Sequence, residues 1–215
     1  MVPAAHLPSE VRVAVFAKAP IPGEVKTRLH GILGPEGAAA LQAGLVRHAL
    51  STALAAGVGP VELHCAPDEH HDFFVRCAER FRVTLVRQEG RDLGERMGRA
   101  FASALGAGRG LLVIGSDCPV LRPDDLRSAR AALDKETAVL IPAEDGGYVL
   151  IGLTAPVAGL FTNVEWGTDA VLRQTRTRFA EARVRCVELP ERWDLDRPED
   201  YARLATEGLL EEILS

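Results

Sequence analysis

The sequence predicts an α/β fold, one domain built on a mixed, mostly parallel sheet, and three observations predict it. Short apolar runs alternate with longer Ala- and Leu-rich stretches of helical period. Most of the runs stop at Gly, Pro or Asp, residues that end strands. The alternation breaks once, at Ala138–Pro142 and Tyr148–Leu153, which follow each other too closely for a crossover helix. Those two strands therefore form a hairpin-like element inside an otherwise parallel arrangement.

The elements follow in order. Val11 to Ala17 reads as a buried first strand, followed by a loop with Pro20, Pro22 and Gly23. Gly34-Pro35-Glu36 opens a helix that runs to about Ala56. Val61 to Cys65 is a second strand, and Pro67-Asp68 starts a helix ending near Arg80. Val83 to Val86 is a strand, and Asp92 to Leu105 a helix. Leu111 to Gly115 is a buried strand that stops at Ser116-Asp117-Cys118-Pro119, where Pro119 forbids continuation. Pro123 to Leu133 is helical, with Asp124 and Asp125 in its first turn, where the helix dipole favours them. After the hairpin come a helix from Thr168 to Ala180, a strand from Val184 to Val187 and a closing helix from Pro198 to about Leu210.

Bulk composition narrows the function. The 215 residues suffice for one sizeable core and read as a single domain, 1–215. At 47% apolar residues, a packed globule rather than disorder is expected. The net charge of −5 argues against nucleic-acid binding. Four widely spaced cysteines fit neither a zinc ribbon nor a disulfide scaffold, so a reduced, cytoplasmic chain is expected. Neither a signal peptide nor a membrane span is expected. Oligomeric state is left open.

Four segments carry chemistry. The central-strand Asp117 lies where open α/β sheets bind ligands, and a carboxylate there can hold a hard divalent cation and, through it, a phosphate. The bland alternative is that Asp117 caps the helix after Pro123. The loop after the first strand gathers Lys18, Lys26 and Arg28, cations suited to a polyphosphate. It is not a Walker A loop, because Val25 stands where Gly is needed before Lys26-Thr27. In Gln88 to Met97, Arg91 and Arg96 can reach a phosphate or sugar at a helix N-terminus. Asp92 and Glu95 in the same stretch read equally as an N-cap and its capping-box partner. Asp145-Gly146-Gly147 makes a hairpin turn and also lets a ligand approach the backbone. Near the C-terminus, Asp194 is expected to face the site and Asp196 to cap the helix at Pro198. His70 and His71 read as surface, and Cys118 as a packing thiol.

Taken together, the pieces resemble a known group. They are Phe16-Ala17-Lys18-Ala19-Pro20, Pro22-Gly23, Lys26-Thr27-Arg28-Leu29, Asp92 to Met97, Gly115 to Pro119, Glu144 to Tyr148 and Trp193 to Asp196. In this order they resemble a bacterial GT-A-like family long filed as a domain of unknown function. Its members are often labelled glycosyltransferases, and one branch is linked to arsenosugar biosynthesis. More distantly the chain is similar to the guanylyltransferases that make molybdenum and deazaflavin cofactors.

The resemblance implies a three-layer α/β/α nucleotide-diphospho-sugar transferase fold. It implies Mg2+ or Mn2+ on Asp117, with Asp194 completing the metal shell. Lys26 and Arg28 would neutralise phosphates, and Asp145 and Gly146 would line the acceptor side. The expected activity is metal-dependent transfer of a sugar from a nucleotide sugar to a small-molecule acceptor, with Asp145 steering or deprotonating that acceptor. Nucleotidyl transfer from a nucleoside triphosphate and silent nucleotide binding are the alternatives. One departure bears on the reaction: the Asp-x-Asp pair of such glycosyltransferases is here Asp117 with Pro119, closer to the nucleotidyltransferase pattern.

Overall fold

Strand β1 (Val11–Lys18) forms where β-branched and small apolar residues can be buried on both faces. Val13 and Val15 point into one core and Ala14 and Phe16 into another, the period of two expected of a central strand. A computed structural model describes residues 10–134 and 136–214. Within them β1 pairs in parallel with β2 (Val61–Ala66) on one side and β4 (Gly110–Gly115) on the other. Outside β2 lies β3 (Thr84–Arg87), again parallel. Beyond β4 come β6 (Tyr148–Leu153), β5 (Ala138–Pro142) and β7 (Cys186–Glu188), giving the order β3-β2-β1-β4-β6-β5-β7. Only β6 runs antiparallel to its neighbours, so the break in alternation is a true hairpin in a mixed sheet.

Helices cover both faces. On one side α1 (His30–Ala56), α2 (Asp72–Phe81) and α4 (Pro123–Leu133) contribute Val46, Leu50, Phe74 and Leu126 to the larger core. On the other, α3 (Leu93–Gly106) and α5 (Val171–Glu181) contribute Met97, Phe101, Leu172 and Phe179. A third cluster joins α1, α6 (Pro198–Thr206) and α7 (Leu210–Leu214) with Trp193 and Leu195. The layers are therefore α/β/α. Among the described residues no helix is long and apolar enough to cross a membrane.

Most boundaries fall within a few residues of expectation, and the differences have local causes. A 3-10 turn at Thr27–Leu29 leads directly into His30, so α1 starts early, kinks at Gly34 and restarts at Pro35. Helix α2 starts at Asp72 rather than near Asp68. His71 caps it, its Nδ1 accepting from Phe73 N at 3.2 Å, so this histidine has a structural role rather than a free surface position. The closing helix divides at Gly208, whose φ of 73° ends α6 before α7 begins.

One capping expectation is corrected and one alternative is set aside. Asp196 does not cap α6; Asp200 does, its carboxylate accepting from the backbone of Arg197 at 2.7 Å and of Asp196 at 3.0 Å. A carboxylate at the third helical position reaches back over the first turn, which frees Asp196 for the cleft. Likewise Asp125 closes the start of α4 on Arg122 N at 2.9 Å, so the helix after Pro123 does not draw on Asp117.

Candidate active site

Strand order places the site. From β1 the chain crosses to β2 and then β3 on one side, and from β3 it returns through α3 to β4 on the other side of β1; a ligand crevice opens where the strand order reverses in this way. Lys18 ends β1, and Asp117 lies two residues past the end of β4. Because β6 is antiparallel, its first residue Tyr148 and the turn before it return to the same edge. The resulting cleft has a volume of about 710 Å³. Lys18, Lys26, Arg28, Arg96, Asp117, Asp145, Gly147 and Asp194, all singled out from the sequence, line it.

The four cations differ in how free they are. Lys26 adopts a left-handed conformation, φ 48°, that turns its side chain inward to 4% exposure. Its ammonium lies 2.7 Å from Asp117 Oδ1 and donates also to the Leu195 carbonyl. Leu195 N in turn donates to Asp117 O at 2.8 Å, so three distant segments meet at one lysine. Arg28 pairs with Asp196, and both side chains stay about half exposed. Arg96 directs Nε to the Gly90 carbonyl at 3.2 Å and has no carboxylate partner among the described residues. Lys18 pairs with no carboxylate among the described residues.

Two expected residues lie off the cleft. Arg91 turns outward onto Glu95, whose carboxylate also accepts from Arg91 N at 3.0 Å. This guanidinium holds the Glu95 carboxyl down to about 2. The capping box is thus half formed: Asp92 accepts from Glu95 N at 2.8 Å, but Glu95 answers Arg91 instead of Asp92. Gly146 has φ 88°, and an added Cβ would lie 2.4 Å from the Asp169 carbonyl. Its close approach is therefore to protein backbone, and its own carbonyl accepts from Leu172 N at 2.8 Å. Asp145 folds into the turn by accepting from Gly147 N at 2.8 Å.

The carboxylates outnumber the cations on this edge. Burial, with Asp145 and Asp117 adding like charge, pushes the Asp194 carboxyl up to about 7, and Lys26 opposes this only in part. A half-buried excess of oxygen donors suits a hard divalent cation. Among the described residues no group of three or more His, Cys, Asp or Glu is poised as a complete metal cage. The fit is therefore to a cation held by one or two carboxylates with phosphate oxygens supplying the rest, as Mg2+ prefers. Cys118 is no nucleophile here, since burial drives its thiol up to about 12.

Several cleft residues escaped sequence reasoning. Gln42 of α1 is buried and donates to Ser116 Oγ at 3.3 Å, which lies 3.4 Å from Asp117 Oδ1. Gln88 donates through Nε2 to His64 O at 2.7 Å and Ala17 O at 3.2 Å, tying the ends of β2 and β1. Trp166 and Thr168 bring the segment between β6 and α5 to the cleft. A polar residue inside an apolar helix was the available signal for Gln42; Trp166 offered none beyond its rarity.

Comparison with known proteins now bears on the geometry. The bacterial family DUF2064, described as an uncharacterized protein conserved in bacteria, matches residues 49–168. The chain belongs to this family. This DUF2064 protein is also 30% identical over 201 residues, 91% of its length and 96% of the relative's, to a phosphoenolpyruvate guanylyltransferase of Rubrobacter xylanophilus. A candidate nucleotide-diphospho-sugar transferase of Desulfovibrio desulfuricans G20 superposes with a TM-score of 0.81 at 29% identity, covering 96% of this chain and 97% of that one. The 4-diphosphocytidyl-2C-methyl-D-erythritol synthase of Anaerococcus prevotii shares the fold, with a TM-score of 0.60 at 12% identity over 92% and 97% of the two chains. Fold and family together place this DUF2064 protein among the nucleotidyl and nucleotide-diphospho-sugar transferases.

Proposed function

We propose that this protein transfers a sugar from a nucleotide sugar to a hydroxyl of a small acceptor. The observation that carries the reading is the division of the cleft. Unpaired cations, Lys18 and Arg96, serve a diphosphate, while Asp145 stands on the wall opened by the β5–β6 turn. In the reaction the acceptor oxygen forms a bond to the anomeric carbon, and the bond from that carbon to the distal phosphate oxygen breaks. The electron pair leaves on the nucleoside diphosphate, and the hydroxyl proton passes to the Asp145 carboxylate. Lys18, Arg96 and an Arg28 released from Asp196 hold the phosphates, and Lys26 keeps Asp117 in position. Mg2+ or Mn2+ bound by Asp117 and Asp194 would offset the charge growing on the departing diphosphate.

Nucleotidyl transfer is the second reading, supported by the named activity of the Rubrobacter relative and by the lone Asp after β4. There an acceptor oxygen attacks the α-phosphorus of a nucleoside triphosphate and pyrophosphate leaves. Product analysis separates the two. Purified protein with Mg2+ and a panel of nucleotide sugars is expected to release nucleoside diphosphate. Release of pyrophosphate from a triphosphate instead establishes the second reading. Asp117→Asn is expected to lower the turnover by about 10²-fold or more. Nucleotide binding with no turnover of any donor would defeat both.

A further inference from the structure

The charge on the two walls of the cleft goes further than the type of reaction. Resting on the nucleotide-donor reading above, we propose that the acceptor carries no negative charge and is a neutral polyhydroxylated molecule, seated between Asp145 and the indole of Trp166.

The cations of the cleft all come from the β1 and β3 side. Lys18 ends β1, Lys26 and Arg28 sit in the loop after it, and Arg96 is turned toward Gly90, just past β3. The facing wall comes from residues 143–171. Among its described cleft-lining residues are Asp145, Tyr148, Trp166 and Thr168, and no Lys or Arg. Arg203 and Arg192, which touch this wall at Glu144, have their guanidinium groups bound to Glu144 and Asp125. A phosphorylated or carboxylated acceptor on this wall would face the Asp145 carboxylate with no Lys or Arg beside it among the described cleft-lining residues of the wall, and like charges brought together are unfavourable.

What the wall does offer suits a sugar or polyol. Trp166 supplies an apolar plane, fixed from behind in three ways. Gly94 lets the indole close onto α3, where an added Cβ would come within 2.5 Å of Nε1. Phe161 packs beside it at 6.4 Å between ring centroids. The neighbouring Glu165 is locked to Gln174 by two hydrogen bonds of 2.8 Å. A rigid aromatic face beside a carboxylate and a hydroxyl binds C–H surface and O–H groups together. The curated relative named for phosphoenolpyruvate, a polyanion, is therefore not a guide to this chain's acceptor.

The test uses the whole protein with Mg2+, a panel of nucleotide sugars as donors, and acceptors in pairs: glycerol against glycerol 3-phosphate, glucose against glucose 6-phosphate, with phosphoenolpyruvate added. Nucleoside diphosphate release is measured with and without each acceptor. A neutral member is expected to exceed its phosphorylated partner at least 100-fold in kcat/KM. Trp166→Ala is expected to raise the acceptor KM at least tenfold, and Trp166→Phe, which keeps an aromatic face, to restore most of it. Val171→Arg, which adds a cation to the wall, is expected to narrow the preference at least tenfold. Equal or better use of a phosphorylated acceptor overturns the proposal while leaving transfer itself intact. Donor hydrolysis that no neutral acceptor accelerates also overturns it. Absence of any nucleoside diphosphate release defeats the underlying reading and this proposal with it.

Discussion

Two ion pairs fasten the loop after β1 to distant parts of the chain, and they are built at different depths. Lys26 reaches Asp117 with 4% of its side chain exposed and spends a further donor on the Leu195 carbonyl. Arg28, two residues on, reaches Asp196 with 59% and 45% of the two side chains exposed. The chemistry is alike, so the difference lies in burial. A buried pair cannot lose one partner without stranding the other charge, whereas an exposed pair exchanges its partner for water or ligand at little cost. The sequence made both cations phosphate ligands. The structure sets them apart: Lys26 is buried between Asp117 and Leu195, and Arg28 stays half exposed on Asp196.

The largest expected effect tests the deep pair. Lys26→Met leaves Asp117, which adds like charge to Asp194, without its ion-pair partner. It is expected to destabilise the fold by about 2–3 kcal/mol, below the about 3–5 kcal/mol of a fully buried pair because Asp117 is half exposed. Calorimetry should then show Tm lower by about 5–10 °C. An unchanged Tm would break the comparison, making Lys26 as dispensable as Arg28.

Next comes the carboxylate crowding that Lys26 only partly offsets. Folding raises the Asp194 carboxyl from 3.8 to about 7, so its ionisation costs stability progressively as pH rises from near 4 through 7. Asp194→Asn removes that cost. In the metal-free protein it is expected to raise Tm at pH 8 by about 3–5 °C, or about 1–2 kcal/mol after discounting for solvent at the cleft, and to leave Tm unchanged near pH 4. Unfolding scans at the two pH values decide it; a gain at pH 4 as large as that at pH 8 would rule out ionisation as the cause.

A smaller effect is expected at the shallow pair. Arg28→Met should move Tm by no more than about 1 °C, since exposed pairs contribute about 0–1 kcal/mol. It should raise the KM for the nucleotide donor several-fold in steady-state kinetics. The smallest effect is that of salt. Going from about 0.05 to about 0.5 M NaCl should abolish whatever stability difference separates Arg28→Met from the parent, while the Lys26→Met difference persists, because screening reaches exposed charges first.

The same contrast explains how much could be read from the residues. Asp117 was legible because an apolar run that ends in a carboxylate and a proline says both strand and strand end. The β5–β6 hairpin was legible from the short spacing of two apolar runs. Asp196 was misread because sequence proximity favoured it as the cap of α6, and Asp200 competes from inside the first turn. Arg91 was misread because a partner four residues away on the same helix turn outbids a distant ligand. The inward turn of Lys26 depends on Asp117 and Leu195, contacts separated from it by most of the chain, and no local pattern announces a contact of that span. Trp166 was silent for the same reason, since it acquires its place only when the β6–α5 segment meets Gly94; Gln42 stood out as a polar residue in an apolar helix, but its partner appears only when α1 meets Ser116.

The strap at residues 192–196 gives the site an order of assembly. It hydrogen-bonds to the turn after β5, with Glu144 N donating to Arg192 O at 3.0 Å, and to Asp117 through Leu195. During synthesis the sheet from β1 to β6 is available well before this strap emerges, yet Lys26 and Asp117 gain their contacts with Leu195 only when it does. A nascent chain can therefore acquire its scaffold, and the Lys26–Asp117 pair within it, before the contacts that complete the cleft.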